Sequence, residues 1–163
     1  MRIWMLLISV VLSCSIYGQD YSLADTLRGS ITPERAWWDL NYYHLNIEVN
    51  PYDSTIVGSN EVRYTVLDAG EIMQIDLQEP LQITRVTQDG QELEFTQNGA
   101  AHYIHLTKVQ RIGDLNKIVV HYGGNPHIAK RAPWDGGITW TSDINGNPFA
   151  CLLYTSPSPR DRG

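Results

Sequence analysis

Between Leu40 and Val49 the chain alternates at every second position: Tyr43, Leu45, Ile47 and Val49 on one side, His44, Asn46 and Glu48 on the other. Successive side chains of a strand leave opposite faces, so this pattern predicts an antiparallel strand with four buried apolar residues and a wet outer face. Asn50-Pro51-Tyr52-Asp53 then supplies turn residues. The same period returns over Glu61 to Leu67, with Val62, Tyr64 and Val66 in phase, and over Ile72 to Leu77, with Met73, Ile75 and Leu77 in phase. Beyond the first apolar run of the chain, no stretch sustains a period of 3.6 residues, which excludes a helical bundle.

The following segment reads as a meander. Leu81 and Ile83 share one phase and Val86 falls in the other, which places a bulge near Thr84-Arg85. Asp89-Gly90 and Asn98-Gly99 are two-residue hairpin signals, because both positions favour positive φ. Leu93 and Phe95 mark one return strand, His102 to Leu106 another and Leu115 to Tyr122 a third. Gly123-Gly124-Asn125-Pro126 ends that strand, and Ile138 to Thr141 forms a short last one before the turn Asn145-Gly146-Asn147-Pro148. Many short strands between frequent turns predict an all-β fold, an antiparallel β-sandwich. The chain has 163 residues, 42% of them hydrophobic, which suits one domain with a real core. Its net charge of −6 argues against nucleic acid as a partner, since phosphate binding needs a basic surface. Nine Tyr and five Trp against two Phe suit pleated, half-buried surfaces.

Residues 1–18 have the pattern of a signal peptide. Arg2 precedes an apolar run from Ile3 to Leu12, shorter than the roughly 20 residues a spanning helix needs. Cleavage after Gly18 would leave Gln19 first, in a secreted or periplasmic protein. Alternatively, Val11-Leu12-Ser13-Cys14 resembles a lipobox, which would anchor the chain to a membrane through a lipid on Cys14. With the leader removed, only Cys151 remains, so no disulfide is expected within the domain. Residues 19–39 read as an arm whose only strong anchor is the pair Trp37-Trp38, one of which is expected to pack on the edge of the sandwich. The sandwich itself is expected over 40–150, C-terminally incomplete, because no returning strand is legible after Pro148. Residues 151–163 change character at once: Pro157 and Pro159 cannot donate to a ladder. That string resembles translated adapter sequence and is expected to be an artefactual tail.

The sequence carries little recognisable catalytic chemistry. No H-E-x-x-H, no Gly-x-Ser-x-Gly and no phosphate-cradling glycine loop occurs. The five histidines are His44, His102, His105, His121 and His127, each expected to face solvent from a strand. The odd spacing of His102 and His105 sends them to opposite faces. Glu61, Asp76, Glu92 and Glu94 are scattered over wet faces. A stacking platform of Trp37, Trp38, Trp134 and Trp140 would suit a free-standing secreted module that binds polysaccharide or a protein partner.

A series of local motifs points elsewhere. In order they are Leu27-Arg28-Gly29-Ser30 with Pro33, Tyr42-Tyr43-His44-Leu45-Asn46-Ile47, Gly123-Gly124-Asn125-Pro126, Ala132-Pro133-Trp134-Asp135-Gly136-Gly137 and Asn145-Gly146-Asn147-Pro148. The series resembles the N-terminal domain of the aminopeptidase N family of zinc metallopeptidases, the gluzincins, especially those of Bacteroidetes, over roughly residues 25 to 150. The resemblance implies a saddle-like β-sandwich packed on a catalytic domain of the same parent chain. That domain would carry H-E-x-x-H, a distant Glu and a Gly-x-Met-Glu-Asn-type motif for the substrate amine. The parent would remove N-terminal residues from peptides, by zinc-activated water with Glu as general base. A Cys-Gln-Gly-like segment would follow the position of Asn147-Pro148, but here Phe149-Ala150-Cys151 leads into Leu152-Leu153. No catalytic, cofactor-binding or metal residue carries over, and zinc is expected in the parent and not in this stretch. The stretch itself is expected to be inactive.

Overall fold

A computed structural model describes residues 30–131 and 136–152. The described chain is all-β and antiparallel, apart from one helical turn, α1 (Pro33–Ala36). Ten strands follow: β1 (Trp38–Asn50), β2 (Thr55–Val66), β3 (Ile72–Asp76), β4 (Gln82–Gln88), β5 (Gln91–Leu93), β6 (Phe95–Asn98), β7 (Ala101–His105), β8 (Leu115–Gly124), β9 (Ile138–Ser142) and β10 (Pro148–Leu152). They form a five-stranded sheet in the order β1-β2-β8-β4-β5, a three-stranded sheet β3-β7-β6, and a hairpin β9-β10.

The two larger sheets face each other as the sequence period requires. Val62, Tyr64 and Val66 of β2 oppose Ile118, Asn116 and, nearby, the loop before β8, so Val62, Tyr64, Val66 and Ile118 form the apolar centre of one face of the large sheet. Met73 and Ile104, directly paired across β3 and β7, supply the facing layer. Together with Val86, Leu93, Leu106 and Val120 they make one core. Bulged geometry serves this core at Ile83/Arg85, where the register shifts, so that Ile83 and Val86 are both buried although three positions apart. The β4–β5 turn is Asp89-Gly90, both at positive φ (51° and 80°). In the β6–β7 hairpin the two-residue loop is Gly99-Ala100, one position later than the Asn-Gly signal suggests, because Asn98 pairs with Ala101. Gly99 alone takes positive φ there.

Trp37 and Trp38 anchor the arm. The Trp37 indole is buried, donates to the Ile72 carbonyl at 2.8 Å and meets Tyr64 edge-on. Trp38 also meets Tyr64 edge-on and donates to the Glu34 carbonyl at 3.1 Å.

Three expectations need correction. A returning strand does follow the turn at Asn145–Pro148: β10 pairs with β9 from Pro148↔Ser142 to Leu152↔Ile138, and so takes in Cys151 and Leu152. His102 is not a wet-face residue; it lies on the inner face of β7 beside Ile104 and is fully buried. Finally, Tyr43, Leu45, Ile47 and Val49 do lie on the core-side face of β1, opposite Val62, Asn60, Gly58 and Ile56. They are nevertheless not buried: all four stay 45–57% exposed, although the Asp76 end of β3 comes near enough to Tyr43 to act on its hydroxyl. Alternation fixes the face a residue points to; it does not say whether a second layer reaches that far.

Candidate functional site

Two surfaces gather the chemistry-bearing residues. The outer face of the large sheet carries a charged cluster in which Glu61 accepts from Arg63 at 2.6 Å and from Lys117 at 2.8 Å. The hydrogen bonds from Lys117 and then Arg63 hold its carboxyl below the usual carboxylate range. Arg63 also lies over the Tyr42 ring, 5.3 Å from its centroid, and Tyr42 meets His44 edge-on. His121 approaches Arg85 at 3.2 Å on the same face. Every charge in this cluster already has an opposite partner or an aromatic neighbour, the pattern of a solvated sheet face.

The inner face is different. Along β1 the side chains of Tyr43, Leu45, Ile47 and Val49 are 45–57% exposed, and Leu40 adds to the same row. A register shift between Leu40 and Tyr42 brings Leu40 onto this face despite its even number. Beside Leu45, the buried Oδ1 of Asn60 has no hydrogen-bond partner. An orphaned buried acceptor costs free energy, so it marks a place where a donor is expected. The Tyr43 hydroxyl is pushed up in pKa by burial and then by the Asp76 carboxylate, so it stays neutral at physiological pH. The row is therefore apolar, uncharged and continuous with the core, which suits burial against protein and not contact with water or an ionic ligand.

The remaining candidates stay apart. His102 and His105 leave opposite faces of β7, as their spacing requires, and His127 is exposed. Glu92, Glu94 and His105 line one open hollow of about 560 Å³ with Phe95. Asp76 is committed elsewhere, since it pairs with Arg35 and accepts from Gln74 Nε2 at 2.9 Å. Among the described residues no group of three or more His, Cys, Asp or Glu could hold a metal ion. The zinc that the family resemblance implies therefore finds no fitting ligand set here. Nor do the tryptophans form a platform: Trp37 and Trp38 are engaged in the core, Trp140 packs against the second cluster of Ile56, Tyr122 and Ile138, and Trp134 lies outside the described residues.

The glycine pair after Trp134 shapes the chain beside this cluster. Gly136 and Gly137 both take positive φ (66° and 93°), and a Cβ on Gly137 would lie 2.5 Å from the His127 carbonyl oxygen. That close approach lets Ile138 N donate to His127 O at 2.8 Å and fixes where the β9-β10 hairpin starts. Among the described residues no helix is long and apolar enough to cross a membrane. The leader, the Leu27–Gly29 motif and residues 153–163 lie outside the described residues.

No protein-family model matches the sequence, and no curated protein does. Solved structures do match the fold. A zinc metallopeptidase of the M1 type from Deinococcus radiodurans superposes with a TM-score of 0.53 at 15% identity, covering 73% of this chain and 30% of that one. A mutant of the M1 zinc metallopeptidase of that organism gives 0.54 at 17% identity, covering 64% and 24%. A mutant bound to a Tyr-Ser-Ala substrate gives 0.54 at 15% identity, covering 69% and 28%. This chain thus spans 24–30% of the length of those peptidases, and at such identities the likeness shows the fold.

Proposed function

We propose that this chain is the N-terminal scaffold domain of a secreted zinc aminopeptidase, one that removes N-terminal residues from peptides. The observation that carries this reading is the agreement of two independent lines: an ordered series of family-like motifs in the sequence, and a β-sandwich that superposes on M1 zinc metallopeptidases at TM-scores of 0.52 to 0.54. The uncovered apolar row on β1 supports it, because a domain meant to pack on another part of its chain leaves such a face open.

In this reading the zinc, its ligands and the general base belong to the catalytic part of the parent. The residues described here supply no step of the reaction. Their role is to hold one wall of the cleft and to fix the catalytic part against the sandwich. Export follows from the leader, with Gln19 first or a lipid on Cys14.

The test is the coding DNA beyond codon 150, followed by activity of the expressed product. A frame that reaches H-E-x-x-H, and a product that cleaves aminoacyl-anilides only with zinc bound, are the expected results. A stop codon shortly after codon 150 would instead leave a free-standing binding module.

A further inference from the structure

We infer that β1 is an interior strand of a wider sheet in the parent enzyme, its free edge taken up by a further β-strand that the catalytic part of the same polypeptide supplies. The inference rests on the function proposed above and adds the mode of attachment.

β1 is 13 residues long and pairs only with β2; among the described residues nothing pairs with its other side. Backbone direction can be read at its centre. The Asn46 carbonyl points at β2, since a Cβ on Gly58 would meet its oxygen at 2.4 Å. Backbone groups alternate along an antiparallel strand, so the N–H and C=O of Tyr43, Leu45, Ile47 and Val49 point outward, away from β2. A free edge normally carries proline, lysine or inward-pointing charge that prevents chance pairing. Between Leu40 and Val49 there is no proline and no lysine, and the only ionisable groups besides tyrosine are His44 and Glu48, both on the outer face. Among the described residues the backbone groups of these four are unpaired, and their side chains on the core-side face are 45–57% exposed.

A second copy of this chain would satisfy only half of this. Antiparallel pairing of two β1 strands about Asn46 sets His44 opposite Glu48, which is favourable. It adds a neighbour in the plane of the sheet, however, and leaves Tyr43, Leu45, Ile47 and Val49 without a layer above them. A strand from a larger body can do both, because the body that supplies it also lies over the row. The chain spans 24–30% of the M1 peptidases it superposes on, so such a body has room to exist. The strand that fits carries apolar residues at alternate positions, turned to the core-side face.

Amide hydrogen exchange tests this on the 163-residue chain and on the full product of its gene, both as purified proteins. In the short chain the Tyr43, Leu45, Ile47 and Val49 amides should exchange fast while those of Tyr42, His44, Asn46 and Glu48 are slowed by β2. In the full product the first set should slow by on the order of a hundredfold. An active zinc peptidase in which these four amides stay fast would overturn the inference and leave the proposed function standing. Slow amides in a product without H-E-x-x-H or zinc would uphold the added strand and overturn the proposed function. A reading frame that ends near codon 163 overturns both. Protection that grows with concentration in the short chain, alongside a dimer, would show a second copy to be the occupant and overturn the inference.

Discussion

The Tyr64 hydroxyl donates to Gln110 Oε1 at 3.1 Å and thereby ties the centre of the large sheet to the loop that leads into β8. The same oxygen of Gln110 accepts from Asn116 at 2.7 Å, and Gln88 donates to the Tyr64 hydroxyl at 3.1 Å. This small buried network is satisfied at every atom named, and the ring beneath it meets both Trp37 and Trp38 edge-on.

Removing the hydroxyl should therefore cost stability without disturbing packing. Tyr64→Phe is expected to lower the unfolding free energy by about 1–2 kcal/mol, since Gln88 loses its acceptor in a half-buried site. Urea denaturation of variant and wild type checks it. The pH dependence has a defined sign: burial pushes the Tyr64 phenol up from 10.0 to about 12. A raised pKa in the folded state means that this stability is complete below pH 10 and is lost between about 10 and 12, as the unfolded phenol ionises first. Tyr64→Phe should show a shallower loss of stability over that window.

His102 should make the fold acid-sensitive. Burial lowers its pKa below 6.5, partly offset by the Ala100 carbonyl and the Asp76 carboxylate. Its Nδ1 lies 3.2 Å from the Ala100 carbonyl, Nε2 has no partner, and the Phe95 ring sits 6.1 Å away. Because the folded protein disfavours the imidazolium, stability is complete above pH 6.5 and falls as pH drops below it. The urea midpoint should fall between pH 7.5 and pH 5, and less so in His102→Phe. Equal slopes in the two proteins would rule out His102 as the source.

The core and the exposed row on β1 should respond differently to truncation. Ile118 is fully buried, so Ile118→Ala is expected to cost about 2–5 kcal/mol. Ile47 has the same chemistry on the same face of the sheet, yet Ile47→Ala should cost below about 1 kcal/mol in this chain. Thermal or urea unfolding of the pair compares them directly. A large loss at Ile47 in the isolated chain would mean that something already covers β1.

At Gly137 a side chain is excluded by both backbone and space. Gly137→Ala must hold φ near 93° and place a Cβ against the His127 carbonyl. A cost of about 1–2 kcal/mol or more is expected. It should appear locally, as faster amide exchange at Ile138 and along β9, with β2 and β8 unchanged.

Metal analysis offers a check on the assignment of roles. The purified 163-residue chain is expected to hold no stoichiometric zinc and to show no turnover of aminoacyl-anilides. Tightly held zinc together with chelator-sensitive hydrolysis would show that the dispersed histidines converge after all.

The strands of this protein are legible in its sequence because their signals are local. Period two in Val62-Tyr64-Val66, the phase change between Ile83 and Val86, and the Asp89-Gly90 turn each follow from geometry within a few residues, and the structure has all three. The motif series likewise rests on short stretches. What tertiary structure alone decided is which faces are covered. His102 and His121 both sit on β-strands, and only the position of the opposing layer makes the first a core residue and the second a surface one. The hairpin return at β10 was hidden because Phe149, Cys151 and Leu152 take their strand from pairing with β9, a contact that no local period announces. The row Tyr43, Leu45, Ile47 and Val49 shows the same division: alternation assigns its face, while the extent of a second layer, built from distant segments, decides whether that face is core or an open surface.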